Sequence, residues 1–193
     1  MISGKSFRSL LALGLFSLAP GPAPAEATVS LADILHPSRQ QQVMRFHEDK
    51  NLRILDQTLT SSGILRFVPP DTLIREMDGS PGKTYRIEGN QLSISKAGEV
   101  VRQLDLQTSP ELTGFAVTLR ALLSADIERL NQQFTLTLTG TKTNWVLQLT
   151  PRDDMLSRLI ERISIQGGDN QIRFIDTYET GGNHSHMTLL PNE

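Results

Sequence analysis

The chain has 193 residues, a length that suits one domain, and it carries no cysteine, which excludes disulfide staples and thiol chemistry. Setting aside Lys5, Arg8 and Glu26 near the start leaves 17 basic against 20 acidic side chains, scattered rather than clustered. That near-neutral balance argues against nucleic acid and against an anionic membrane surface as the main partner.

Residues 1–27 read as a secretory signal peptide. Lys5 and Arg8 supply a positive start, Ser9 to Ala19 ("SLLALGLFSLA") an apolar run, and small residues allow cleavage after Ala25 or Ala27. The run is too short to span a bilayer as a mature helix. Residues 28–193 are then expected to form one exported domain of roughly 165 residues, enough to bury a core.

Ser30 to Gln42 ("SLADILHPSRQQQ") suggests a short helix capped by Ser30, with Leu31, Ile34 and Leu35 along one edge and Pro37 limiting it. From Val43 the hydrophobic period changes from 3.6 to 2. Strands are expected at Val43–Glu48, Leu52–Leu59, Gly63–Val68 and Thr72–Met77. Ser61-Ser62-Gly63 reads as a turn, with Gly63 bending the chain into its strand, and Pro69-Pro70 remove donors and end the ladder. Gly79 to Lys83 reads as another turn, Thr84 to Ser95 as a hairpin about Glu88-Gly89-Asn90, and Glu99 to Leu106 as a further strand.

The period then returns to helical. In Ser109 to Gln133, Ser109 caps, Pro110 takes the first helical position and Glu111 the first turn, while Leu112, Phe115, Leu119 and Leu122 share one face. A break is expected near Asp126. Strands resume at Phe134–Gly140 and Asn144–Pro151; Asp153 and Asp154 open a helical turn that runs into a strand through Ile163 and Ile165. Asn170–Glu179 and His184–Pro191 complete the set.

Each strand alternates and so buries one face, and a sheet of about eleven such strands must curl. The expected fold is therefore mainly β: an unclosed, half-barrel antiparallel sheet covered by helices, with the long helix as a lid. One helix cannot fill the interior of so large a sheet, which implies an apolar cavity. Alternation and helix facing select Leu65, Phe67, Leu73, Tyr85, Ile87, Leu112, Phe115, Leu119, Leu136 and Leu147 as its lining.

Chemistry-bearing patterns are weak. His184-x-His186 projects two imidazoles to one side of a strand, with Asp176 or Glu179 as a conceivable third ligand, but no spacing specifies that third group. Solvated edge histidines are the simpler account. Asp153-Asp154 serve the helical turn, and no G-x-S-x-G elbow is present. No catalytic residue, metal ligand or cofactor is assigned, an enzyme is not expected, and acyl-ester hydrolysis is the weakest alternative.

Several motifs in order resemble a known family. They are Phe46-x-Glu48, the run Ser62-Gly63-x-Leu65-x-Phe67-x-Pro69-Pro70, a helix, and Trp145-x-Leu147-x-Leu149-x-Pro151. Together they look like a divergent branch of the periplasmic outer-membrane lipoprotein carriers, the LolA-like proteins. The resemblance implies an interior that holds acyl chains of lipoproteins or other acylated lipids. It also implies an inner-membrane transporter or exporter as donor, an outer-membrane acceptor, and a monomeric carrier in the periplasm. An accessory lipid-binding or adaptor protein of a lipid, glycolipid or acyl-ester export system is the alternative. The best-known carriers tie down the lid with an arginine that precedes the proline of this strand; here that position is Pro69.

Overall fold

A computed structural model of the chain describes residues 29–35, 43–54, 56–108, 118, 120–122, 124–169 and 171–191. Eleven antiparallel strands form one sheet: β1 (Val43–Leu52), β2 (Gln57–Val68), β3 (Thr72–Met77), β4 (Lys83–Glu88), β5 (Gln91–Lys96), β6 (Glu99–Asp105), β7 (Phe134–Gly140), β8 (Trp145–Pro151), β9 (Ile160–Gly168), β10 (Gln171–Glu179) and β11 (His184–Pro191). Their order is β6-β5-β4-β3-β2-β1-β11-β10-β9-β8-β7. Two meanders therefore meet at one long-range pairing, β1 with β11, while β6 and β7 stand at the edges. The result is the unclosed half-barrel that the alternation implies.

Register explains where the core sits. Met44 pairs with Leu65, Phe46 with Leu189, Phe67 with Leu73, Leu73 with Ile87, and Ile87 with Leu92. On the other wing Leu136 pairs with Leu149, and Leu147 with both Leu138 and Ile165. Directly opposed residues share a face, so these side chains form one continuous inner surface. Ile34, Leu35, Leu106, Ala121, Leu122, Leu130 and Leu156 join that buried cluster from outside the sheet. Each fully buried leucine or isoleucine contributes about 1.5–3 kcal/mol.

Short helices that lie wholly among the described residues are α1 (Leu31–Ile34), α2 (Ile127–Gln133) and α3 (Asp154–Ser157). Ser30 caps α1 in a reciprocal box with Asp33. Asp126 caps α2, and Asp153 caps α3 by accepting from the amides of Met155 and Leu156. The helix expected over Ser109–Gln133 does break near Asp126: Thr118 and residues 120–122 are helical, Ser124 and Ala125 form a turn, and α2 follows.

Two linked sequence expectations fail. There is no strand Leu52–Leu59; residues 53, 54 and 56 lie in the turn between β1 and β2, and Asp56 sits there with φ 47°. Ile54 looks like a strand residue yet is 93 % exposed at the turn. Beyond it, polar rungs hold the two long strands together, Thr58 to Asn51 at 2.5 Å and Thr60 to Asp49 at 2.7 Å.

Gly63 is correspondingly not a turn residue. It lies inside β2, paired with Phe46 on one side and Met77 on the other. A Cβ there would come within 1.9 Å of the Glu76 carbonyl oxygen and 2.9 Å of the Phe46 ring. Its role is to let β3 and an aromatic ring approach the backbone closely.

Candidate functional site: an apolar inner face with one polar wall

Thr118 and Leu122 lie against the middle of the inner face. Thr118, Ala121 and Leu122 are all at most 3 % exposed. Between this segment and the sheet lies a pocket of about 20 Å³ lined by Glu48, Thr118, Leu122, Ile163, Ile175, Thr177, Ser185 and Met187. Strand register brings the wall together: Thr177 faces Ile163 and Ser185, and Met187 faces Ile175 and Glu48.

Its apolar half is Leu122, Ile163, Ile175 and Met187. Its polar half centres on Glu48, which follows Met44 and Phe46 on the inward-facing positions of β1. Glu48 Oε1 accepts from Ser185 Oγ at 2.5 Å, and Oε2 accepts from Arg75 Nη2 and from Ser61 Oγ at 3.4 Å. Arg75 reaches Glu48 from β3 across β2, and its guanidinium lies 4.3 Å over the Phe46 ring. The buried Nε of Arg75 has no hydrogen-bond acceptor among the described residues, while the guanidinium gains a cation–π contact with the ring. Burial opposes ionisation of Glu48, but the charge of Arg75 and the bonds from Ser185, Arg75 and Ser61 outweigh it and hold the carboxyl below its usual range.

A second ion pair extends this row. Lys50, opposite Ser185, donates to Glu179 at 2.6 Å, and Asn183 donates to the other carboxylate oxygen at 2.7 Å. Burial again pulls Glu179 upward; the bonds from Lys50 and Asn183 and the charge of Lys50 overcome it, against the opposing charge of Glu48.

A polar tie joins the helical segment to the sheet. Arg120, 7 % exposed, donates from Nη1 to the Gly89 carbonyl at 2.6 Å. Gly89 occupies the β4–β5 turn with φ 54°, and the Asp71 charge also attracts Arg120. Desolvation lowers the Arg120 pKa and this attraction opposes it, with Arg129 adding repulsion. The polar tie thus runs from the helical segment to the sheet, where the resemblance places it on a strand.

Of the ten residues selected from sequence, Leu65, Phe67, Leu73, Ile87 and Leu147 are buried on the inner face, and Tyr85 and Leu136 are half-buried against it. They occupy two wings, β2–β4 and β7–β8, while the pocket opens at the centre, on β1 and β9–β11; none of the seven is among its described lining residues. Leu112, Phe115 and Leu119 lie outside the described residues. Glu48, part of the Phe46-x-Glu48 motif, lines the pocket although it is not among the ten residues that alternation selects. The alternation Met44, Phe46, Glu48 was the signal that could have found it.

The histidines face the other way. His184 Nε2 and His186 Nδ1 both meet Asp176 Oδ1, at 3.1 and 2.8 Å. Tyr178 stacks on His184 at 4.5 Å, Phe174 on His186 at 5.6 Å, and Arg162 covers Tyr178 at 3.7 Å. Glu179 is engaged by Lys50, and no group of three or more metal-ligating side chains among the described residues could hold an ion. This cluster is an outer-face packing ladder.

Comparison with known proteins gives one family match. Residues 23–192 match the family model described as "Outer membrane lipoprotein carrier protein LolA-like". No curated protein matches the sequence. Among solved structures, a LolA superfamily protein, NE2245, from Nitrosomonas europaea is 12 % identical, with 84 % of this chain and 91 % of that one covered and a TM-score of 0.45. LprF from Mycobacterium bovis is 9 % identical, with 84 % and 94 % covered and a TM-score of 0.40. The family match spans nearly the whole chain, and on it the protein belongs to the LolA-like family of outer-membrane lipoprotein carrier proteins.

Proposed function

We propose that this protein is a periplasmic carrier that binds the acyl chains of lipoproteins or other acylated lipids and shuttles them from the inner to the outer membrane. The observation that carries the reading is the continuous apolar inner face with a pocket at its centre, roofed by Thr118 and Leu122. An inner-membrane transporter or exporter would donate the cargo and an outer-membrane acceptor would take it. No bond is made or broken in this cycle, and among the described residues no helix is long and apolar enough to cross a membrane.

A space of about 20 Å³ holds one water, not a lipid tail. Cargo therefore enters by displacing the roof, and its own chain takes the place of Leu122 on the sheet. Burial of a chain gains about 0.8 kcal/mol per methylene. Ten methylenes supply about 8 kcal/mol by that measure, more than the roughly 1.5–3 kcal/mol held by one buried leucine. The empty state is then self-sealed, and a loaded state is reached by population shift.

Native mass spectrometry of the protein purified from membrane-containing lysate tests this directly: acyl-lipid adducts are expected, and Thr177→Phe, which fills the pocket mouth from β10, should reduce them. A folded wild type with no adducts and no uptake of a fluorescent fatty acyl probe would overturn the reading. The near-complete filling of the inner face favours one other reading, an adaptor of an export system, for which a stable protein partner without lipid uptake is the expected result.

A further inference from the structure

Glu48 is the one charged residue among the described residues that line the pocket. A carboxylate offers about four acceptor positions. Arg75 and Ser61 take those of Oε2, and Ser185 takes one on Oε1. One position on Oε1 remains. Glu48 and Ser185 both line the pocket, whereas Arg75 and Ser61 do not. Beside Glu48, Thr177 lines the same space, and beyond it Ile163, Ile175, Met187 and Leu122 form the apolar wall.

We propose that Glu48, flanked by Ser185 and Thr177, anchors the head of the cargo and selects acyl chains that begin at a neutral hydrogen-bond donor, an N–H or O–H, over free fatty acids and other anionic heads. This rests on the carrier reading above. A donor next to the chain satisfies the open acceptor while the methylenes lie on the apolar wall. An ester leaves that acceptor desolvated and unpaired, which costs affinity. A carboxylate brings a second negative charge against the first, and Arg75, on the far side of Glu48, is already committed to it. Lys50, the cation on the same strand as Glu48, is paired with Glu179. Sites built around a buried polar group reject ligands that cannot pair with it far better than apolar sites reject a size difference.

The test uses three ligands of one chain length, dodecanoic acid, its methyl ester and its N-methylamide, in displacement of a fluorescent acyl probe at neutral pH. For the wild type, the amide should bind tightest and the acid weakest, with about 10- to 100-fold between them. Glu48→Gln should bring the acid to within a few-fold of the ester. Ser185→Ala, which leaves the charge in place, should keep the acid rejected, so the selection remains readable if Glu48→Gln does not fold. Equal binding of all three ligands to the wild type overturns the anchor and leaves the carrier intact. Acid rejection that persists in folded Glu48→Gln also overturns it. If none of the three displaces the probe, the carrier reading falls and the anchor with it.

Discussion

Arg120 in the helical segment donates to the carbonyl of Gly89 in the β4–β5 turn at 2.6 Å, joining the roof of the inner face to a wing of the sheet 31 residues earlier in the chain. A hydrogen bond from a charged donor contributes about 1.5–3 kcal/mol. Arg120→Ala should therefore lower stability by about that amount and loosen the roof. The expected readout is faster uptake of a fluorescent acyl probe than in wild type, with Arg120→Lys intermediate. Unchanged uptake in a folded Arg120→Ala protein would show that this contact does not hold the roof.

Gly63 has no room for a side chain, whereas Gly181 has nothing within 4 Å of its would-be Cβ. Gly63→Ala must push the Glu76 carbonyl and the Phe46 ring aside, separating β2 from β3. A loss of about 2–4 kcal/mol in urea unfolding, or failure to fold, is expected. Gly181→Ala should stay within about 0.5 kcal/mol of wild type.

Glu48 and Glu179 both have folded-state pKa values below the ordinary 4.5. Groups depressed in this way stabilise the fold above their unfolded pKa, and that contribution is lost as pH falls through the folded value. Stability should thus hold from neutral pH down to about 4.5 and decline below it. Glu48→Gln should be less stable at neutral pH by about 1–3 kcal/mol, since Arg75 keeps only a neutral acceptor. Its decline on acidification should be shallower. Parallel acid limbs for the two proteins, followed by circular dichroism, would contradict this assignment.

Asp126 caps α2 by accepting from the Arg129 amide at 3.0 Å. Asp126→Ala should cost about 1 kcal/mol, a typical value for a lost cap. Because α2 follows the roof and contributes nothing to the described pocket lining, acyl-probe affinity should change little. A melting curve and a binding isotherm on the same sample separate the two effects.

Much of the fold was legible one element at a time. The two-residue period of Trp145, Leu147 and Leu149 marks a half-buried strand wherever it sits, and all three are fully buried. Glu88-Gly89-Asn90 marks a hairpin turn because glycine accepts a left-handed φ without steric cost, and Asp153 marks a helix start because its carboxylate can reach free amides two and three residues on. Ile54 misled because an apolar residue at a turn cannot be told by identity from one in a strand. Gly63 misled because a glycine needed for close approach looks the same as one needed for a bend.

What the sequence by itself determined was therefore local: the strand period, most of the turns and caps, the helix break near Asp126, and the family motifs. The tertiary structure alone decided that Glu48 meets Ser185, 137 residues away, and Arg75 across an intervening strand. It alone decided that Arg120 ties the roof to the β4–β5 turn, and that Glu48 meets Ile163, Ile175 and Met187 around one pocket over β1 and β9–β11. The physical reason is that alternation states which residues share a face within one strand, while the partner across a strand pair depends on register. For β1 and β11 that register is set only when the two meanders close on each other.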